Sequence, residues 1–202
     1  MRSPSALANV LVAATAIVAV TADTASASPR LSGPEVMVDS GLSVGMLREQ
    51  LDDIWELYPT LGLQLNLAGA PARLRVLGAS AGRHLDVALA PEVSLTTWRN
   101  DVSNDVAIGL GARLELRVVN PGRRAVSAYV ARRRLGVGGD LDPATTTAAG
   151  VVLRPGGGWL RYGAEVAYTD RTGGGVWTYR DGAYVPGQQP WYLTTLFVGA
   201  AL

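Results

Sequence analysis

The chain has 202 residues, a length typical of one domain, and 18 basic against 17 acidic residues leave a formal net charge of +1. The absence of cysteine excludes a disulfide framework and a thiolate metal site, and the balanced charge without a basic stripe argues against nucleic-acid binding. Hydrophobic residues make up 48% and charged residues only 17% of the chain, below the roughly 25% usual for soluble domains. This composition suggests that part of the surface meets a medium other than water.

The first predicted element is an export signal at residues 1–27. Arg2 supplies a charged start, residues 6–20 form an apolar run, and Ala25 and Ala27 provide the small residues that a signal peptidase reads. The run is shorter than the roughly 18 apolar residues that a spanning helix needs. We therefore expect cleavage after Ala27, which leaves a mature domain at 28–202, with an uncleaved membrane anchor as the alternative.

The rest of the chain alternates apolar and small or polar residues with a period of two, the pattern of strands with two unlike faces. Residues 73–82 are predicted to be an irregular strand or turn, because a ninth strand would break the even number of strands in bacterial single-chain barrels. The pattern thus predicts eight strands, at residues 36–47, 59–68, 84–98, 105–118, 124–135, 147–154, 159–169 and 191–202.

One segment, 46–58, departs from the period of two. Leu47, Leu51, Ile54 and Tyr58 fall at helical spacing, which predicts one or two helical turns in the first loop. We expect this short helix to pack on the barrel rim, and a lid or an interfacial helix is the functional alternative.

The connections differ in length in a regular way. Compact Gly/Pro breaks lie at 69–71, 120–122 and 155–158, whereas longer polar stretches lie at 99–104, 136–146 and 170–190. Short and long connections alternate in this way in outer-membrane barrels, which have short periplasmic turns and longer external loops.

The character of the two faces predicts which one is outside. The aliphatic face carries almost no charge and suits lipid tails, whereas the small residues of the other face suit the narrow interior of an eight-stranded barrel. Charges of opposite sign on that face should pair inside the lumen, and the predicted network comprises Glu92, Arg113, Glu115, Arg117, Arg161 and Glu165. Aromatic residues at strand ends predict interfacial girdles, formed by Trp98, Trp159, Tyr168, Trp191 and Tyr192.

These observations favour an all-β fold, an eight-stranded antiparallel up-and-down transmembrane β-barrel. The chain from about residue 33 to 202 resembles the small outer-membrane proteins of the OmpA and OmpX type in pattern, without a diagnostic motif. Its end, 196–202, is similar to the C-terminal signal that the barrel assembly machinery reads, although that family usually ends in Phe or Trp and this chain ends in Leu202. The resemblance implies the outer membrane of a Gram-negative bacterium. A soluble periplasmic barrel that binds a small apolar ligand is the alternative.

No catalytic, cofactor-binding or metal-binding residue is predicted. Some barrels of this size modify lipid A, and the deacylases among them carry a His-x-Ser motif, but the position two residues after His84 is Asp86. Ser94 lies ten residues from His84, roughly 33 Å along one strand, too far for a nucleophile and its base. Asp140 and Asp142 have oxygen ligands that suit calcium, yet their spacing matches no EF-hand loop.

The densest basic run consists of Arg132, Arg133 and Arg134, near the predicted external end of a strand. Outward-pointing members are candidates for contacts with lipopolysaccharide phosphates, which guanidinium groups bind well; a solvated rim is the alternative. The sequence therefore predicts a structural or surface-interaction barrel whose partners are outer-membrane lipids and lipopolysaccharide, with the barrel assembly machinery acting during insertion. A narrow channel and a lipid A-modifying enzyme stay open as alternatives.

Overall fold

The computed structural model describes residues 29–51, 54–78, 84–99, 104–120, 124–136, 144–170, 172–180, 183–188 and 191–202. The predicted export signal and the two calcium candidates, Asp140 and Asp142, lie outside these residues. Within them, no helix has the length and apolar character needed to cross a membrane. The strands are β1 (Arg30–Ser32), β2 (Glu35–Leu51), β3 (Ile54–Ala70), β4 (Arg73–Gly78), β5 (His84–Arg99), β6 (Asn104–Val119), β7 (Ala125–Leu135), β8 (Ala144–Arg154), β9 (Leu160–Asp170), β10 (Thr172–Arg180), β11 (Ala183–Gln188) and β12 (Trp191–Ala201).

In the described part of the chain, eight long strands close into an antiparallel barrel. Its order is β2, β3, β5, β6, β7, β8, β9 and β12, and β12 pairs again with β2. The predicted eight-stranded antiparallel barrel is therefore confirmed. We call the end that carries Pro29 and Leu202 the terminal end, and the opposite end, where β2 leads into β3, the loop end.

The pairing register gives the barrel its stagger. A path across directly paired residues returns to β2 at Leu47, ten residues beyond its start at Met37. Such a stagger requires strands tilted by about 35–45° to the barrel axis. The path runs through Met37, Ala68, Glu92, Gly111, Arg133, Thr146, Thr169, Trp191 and Leu47.

Two facing prolines interrupt the first hairpin at the terminal end. The β1–β4 and β2–β3 ladders share one register, so Pro34 and Pro71 stand opposite each other between them. Neither proline has an N–H to donate, and the ladder therefore breaks at this point. β4 continues the line of β3 along β5 with an irregular register. Residues 73–78 are thus an irregular continuation of a strand, as the sequence predicts.

The first hairpin at the loop end is longer than the sequence predicts. β2 and β3 stay paired as far as Leu51 and Ile54, so within 46–51 and 54–58 the backbone is strand and the predicted helical turns do not form. Continuous pairing with a partner strand satisfies the backbone groups of both segments, which outweighs a local helical spacing of apolar residues. Residues 52–53 lie outside the described residues. A second hairpin, formed by β10 and β11, follows β9 at the same end.

The two faces of the barrel wall have opposite character. Large aliphatic side chains are exposed outside, among them Leu196 at 67% and Leu63 at 60%, whereas Arg113 and Glu115 are fully buried inside. A soluble barrel would place the aliphatic side chains in its core, so that alternative is wrong. The exposed face of β2 spans residues 36–46, about 33 Å along the strand. At a tilt of about 40° this corresponds to about 25 Å along the axis, the height of the apolar band of a membrane barrel.

Candidate functional site: the charged lumen and the outer face

The lumen holds a network of buried ion pairs. All six charged residues that the sequence predicts for the lumen point inward and are buried: Glu92, Arg113, Glu115, Arg117, Arg161 and Glu165. They do not form one cluster. The structure divides them between a central group and a group at the terminal end, and adds further residues to both.

The central group is built around Arg133. Its guanidinium donates to both oxygens of Glu165, from Nη1 at 2.7 Å and Nη2 at 2.5 Å. The same guanidinium donates to Glu92, from Nε at 3.1 Å and Nη2 at 3.2 Å. Glu165 also accepts from the Tyr129 hydroxyl at 2.7 Å and from Gln64 Nε2 at 2.9 Å. Each carboxylate is thus paired and hydrogen-bonded, the condition under which buried charges are tolerated.

Arg113 and Asp39 extend the central group across the lumen. Arg113 donates to Glu92 at 2.6 Å and to Asp39 at 3.2 Å, and its guanidinium carbon lies 4.1 Å from the centroid of the Tyr129 ring. On the other side of Asp39, the Nε atom of Arg161 lies 2.9 Å from the second carboxylate oxygen. Since Arg113, Asp39 and Arg161 belong to β6, β2 and β9, these contacts connect distant parts of the wall.

The group at the terminal end converges on Glu35. Its carboxylate accepts from Arg117 Nη2 at 2.7 Å, from Arg154 Nη1 at 2.6 Å and from Arg73 Nε at 2.5 Å. Glu115 accepts from the same Arg73 at 3.3 Å and from Arg117 at 3.4 Å. One carboxylate at the first residue of β2 thereby holds three guanidinium groups that come from β4, β6 and β8.

An apolar contact fills the lumen at the loop end. Trp98 and Trp191 are buried, and their rings meet edge to face with centroids 4.3 Å apart. Leu135 and Ala144 pack in the same cluster, with Tyr58 against it. The prediction that these two tryptophans belong to an interfacial girdle is therefore wrong. The alternation of β5 and β12 turns both side chains inward, while their neighbours Arg99 and Tyr192 point outward.

The other predicted girdle residues are on the outside. Tyr168 and Tyr192 are exposed on paired strands near the loop end, with ring centroids 5.2 Å apart. Trp159 is 63% exposed in the turn before β9 at the terminal end. Two of the aromatic positions thus lie towards one end of the apolar band and one towards the other.

The three consecutive arginines of β7 do not act together. Arg132 and Arg134 are exposed on the outer face, whereas Arg133 points into the lumen and is 3% exposed. The expectation that Arg133 contacts lipopolysaccharide is therefore wrong, because a strand turns successive side chains to opposite faces. No described carboxylate forms an ion pair with Arg132 or Arg134.

His84 lies at the terminal end of β5 beside Asp86, with Nε2 3.4 Å from a carboxylate oxygen. Asp86 also accepts from Arg75 Nε at 3.1 Å. Ser94 is buried further along the same strand, in register with Gly109. The structure does not bring Ser94 to His84, since ten residues of one strand separate them by roughly 33 Å.

Sequence reasoning missed several members of the luminal network. Asp39, Gln64 and Arg133 occupy the inward positions of regularly alternating segments, so the alternation itself was the signal that could have found them. Arg73 had no such signal, because it follows the break at Pro71 where the alternation is lost. Glu35 and Arg154 lie at strand termini, where the sequence did not fix the boundaries.

Comparisons with known proteins give structural neighbours only. No protein-family model matches the chain, and no curated protein matches it. Among solved structures, neisserial surface protein A is similar at 12% identity over 85% of this chain and 98% of that chain, with a TM-score of 0.40. Ail, the attachment invasion locus protein of Yersinia pestis, is similar in two structures, each covering 85% of this chain and 100% of that chain with a TM-score of 0.29. The identity is 10% for its complex with the heparin analogue sucrose octasulfate and 11% for the other structure. Because these identities and TM-scores are low, the role of the site is argued below from the residues of this chain alone.

Proposed function

We propose that the mature chain, released by cleavage after Ala27, is an outer-membrane barrel with a structural or surface-interaction role and a closed lumen. The observation that carries this proposal is the polarity of the wall, with buried ion pairs inside and exposed leucine and valine outside. Only a surrounding of lipid tails makes such an outer face favourable, since in water it would be a continuous apolar patch around the whole barrel.

The connections support an orientation. The turns after β6 and β8, at 120–124 and 155–158, are short and lie at the terminal end, whereas the β2–β3 and β10–β11 hairpins lie at the loop end. Outer-membrane barrels place short turns in the periplasm and longer loops outside the cell. We therefore assign the terminal end to the periplasm and the loop end to the cell exterior, where the two hairpins offer surface for contacts.

The filled lumen favours a structural role over a channel. The central ion pairs connect β2, β6 and β9 across the interior, and the Trp98–Trp191 pair closes the external mouth above them. Water and ions would have to separate hydrogen-bonded charges to pass, which leaves buried groups unpaired and is costly. We propose a non-enzymatic role, in which Asp86 serves as the shared ion-pair partner of His84 and Arg75 at the terminal end.

The outer face suggests the lipid partners. Arg132 and Arg134 expose two guanidinium groups near the external end of β7, a chemistry suited to phosphates of lipopolysaccharide. The outward residues Leu196 and Val198 of β12, together with Leu202 directly after it, form the segment that we expect the barrel assembly machinery to read during insertion.

Cell fractionation combined with gel mobility tests the proposal. We expect the mature chain in the outer-membrane fraction, with faster migration before heating than after it, as a folded barrel resists the detergent of the gel. Purified protein in planar bilayers should show no stable conductance. Recovery of a heat-insensitive chain in the soluble fraction would contradict the membrane assignment, and well-resolved single-channel steps would replace the structural role by a channel.

A further inference from the structure

The charges on the luminal face balance at the centre of the barrel but not at its terminal end. The central group holds three arginines and three carboxylates and is neutral: Arg113, Arg133, Arg161, Asp39, Glu92 and Glu165. At the terminal end, the described part of the chain places five arginines against three carboxylates: Arg30, Arg73, Arg75, Arg117, Arg154, Glu35, Asp86 and Glu115. The whole chain has a net charge of only +1, so this excess comes from where the fold places the arginines and not from composition.

The pairing register aligns four charged residues in one row across the edge of this end. The row runs through Arg30 of β1, Arg75 of β4, Asp86 of β5 and Arg117 of β6. The neighbouring row contains the pair of Ser32 and Arg73, and the Arg73 side chain is buried in the lumen. Because alternate residues of a strand share a face, Arg30 and Arg75 lie on the luminal face as well.

Arg30 and Arg75 form a like-charged pair that the described carboxylates do not neutralise. Directly paired residues have Cβ atoms about 5 Å apart, and like charges in such positions destabilise a sheet. Arg75 donates from Nε to Asp86 at 3.1 Å, and its side chain is 41% exposed. Asp86 also lies 3.4 Å from His84, and no ion pair joins Arg30 to a described carboxylate. An anion between the two guanidinium groups would remove their repulsion.

The two arginines are accessible from the terminal end, and a third guanidinium lies deeper behind them. β1 is the outermost strand of its sheet, and Arg30 is exposed. Arg73, two residues before Arg75, is 3% exposed, and its Nη1 atom is buried without a hydrogen-bond partner among the described residues. Such an unsatisfied buried donor is costly, and an oxyanion bound beside Arg75 brings acceptor oxygens into its neighbourhood.

We propose that Arg30 and Arg75 form a binding site for an oxyanion, a phosphate or carboxylate group, that approaches from the periplasm. The planar guanidinium fork matches both groups. Lipid headgroups fit less well, because lipids meet the opposite face of the same two strands, where Leu31 and Leu74 are paired and exposed. The sources that remain are a small diffusible anion and a carboxylate-bearing polymer of the cell wall. The inference rests on the proposed orientation only for the side from which the anion comes.

The charge of the site is tested by titrating the folded mature chain in zwitterionic micelles with inorganic phosphate, followed by NMR chemical shifts. We expect saturable shifts on β1 and β4. Arg30→Gln/Arg75→Gln should bind phosphate at least about tenfold more weakly, because it loses charge-assisted hydrogen bonds to the anion. The matched control, Arg124→Gln/Arg132→Gln, removes two exposed arginines outside the lumen and should leave the affinity unchanged.

A further variant should change the affinity in the opposite direction. Asp86→Asn keeps the size of the side chain and removes the carboxylate that competes with the anion for Arg75. Phosphate should then bind more tightly, by up to about fivefold, the range expected for one partly exposed ion pair. A variant that only loosened the barrel would bind more weakly instead. Gel mobility before and after heating shows that each variant is folded.

Co-sedimentation of the micelle-bound chain with purified cell-wall sacculi identifies the source of the anion. Retention that phosphate competes away, and that Arg30→Gln/Arg75→Gln lacks, assigns the ligand to the wall polymer, whereas phosphate binding without retention assigns it to a small anion. Absence of both saturable shifts and retention, or equal effects of the two double variants, overturns the site. A chain that binds phosphate in micelles but is not recovered from the outer membrane contradicts the proposed function and leaves the site intact.

Discussion

Replacing Arg133 by methionine should strongly destabilise the barrel, whereas the same replacement at Arg132 should not. Arg133 makes four hydrogen bonds to Glu92 and Glu165, and both carboxylates are almost completely buried. Arg132, one residue earlier, faces the lipid and has no ion pair to a described carboxylate. Both substitutions remove one positive charge from the same strand, so they differ only in the face on which the side chain lies.

The magnitude follows from the unpaired carboxylates. Breaking a buried pair by removing one partner costs about 3–5 kcal/mol, because the remaining charge stays buried without compensation. Glu165 keeps its bonds from Tyr129 and Gln64 and Glu92 keeps Arg113, so we expect about 3 kcal/mol for Arg133→Met, the lower end of that range. For Arg132→Met we expect no loss, or a gain of up to about 2 kcal/mol from removing a charge on the lipid face.

Urea unfolding in phosphatidylcholine vesicles, followed by tryptophan fluorescence and gel mobility, measures both free energies. The loss in free energy of unfolding for Arg133→Met/Glu165→Gln should be smaller than the sum of the two single losses, by a coupling energy of about 1–3 kcal/mol. The reason is that the second substitution removes the carboxylate that the first leaves without its arginine. Equal losses for the Arg132 and Arg133 variants would refute the assignment of their side chains to opposite faces of β7.

Three further predictions test other parts of the barrel. Glu35→Ala leaves three guanidinium groups facing one another, so the free energy of unfolding in urea should fall by about 2–4 kcal/mol. Glu35→Gln keeps an acceptor oxygen and should lower the free energy of unfolding by less. Equal stability of the unmodified chain and both variants would contradict the convergence of the arginines on this carboxylate. Gly150→Val should prevent folding, since a Cβ there falls on the Tyr129 ring, and a heat-modifiable band from this variant would show that the lumen has more room. The variant Leu196→Cys has a single thiol, because the chain contains no cysteine. In vesicles this thiol should react with a membrane-soluble maleimide and not with a charged one. Fast labelling by the charged maleimide would show that position 196 is in contact with water.

The strands and their faces could be predicted because a period of two is a local property. Alternation of Leu with small or polar residues in β3, or of Leu with Arg and Glu in β6, identifies each strand and sorts its side chains before any partner is known. The same alternation also contains the positions of Trp98, Trp191 and Arg133. Chemical type alone predicts these three as girdle or surface residues, but the alternation of the strand decides the side of the wall on which each side chain lies.

Other features depended on contacts between segments distant in the sequence. Residues 46–58 have a helical spacing of apolar residues, and only pairing along the whole length of the β2–β3 hairpin turns them into strand. The facing prolines Pro34 and Pro71 are 37 positions apart, so the break that they cause is visible only once the register is known.

The sequence by itself determined a chain of eight alternating strands, with aliphatic residues on one face and small or charged residues on the other, because that pattern is written within each strand. Only the tertiary structure decided which charges meet. The ten-residue stagger of the closed barrel brings Asp39 to Arg113 and Arg161 and gathers three arginines on Glu35. Register and closure are collective properties of all strands, and for this reason no single segment of the sequence specifies them.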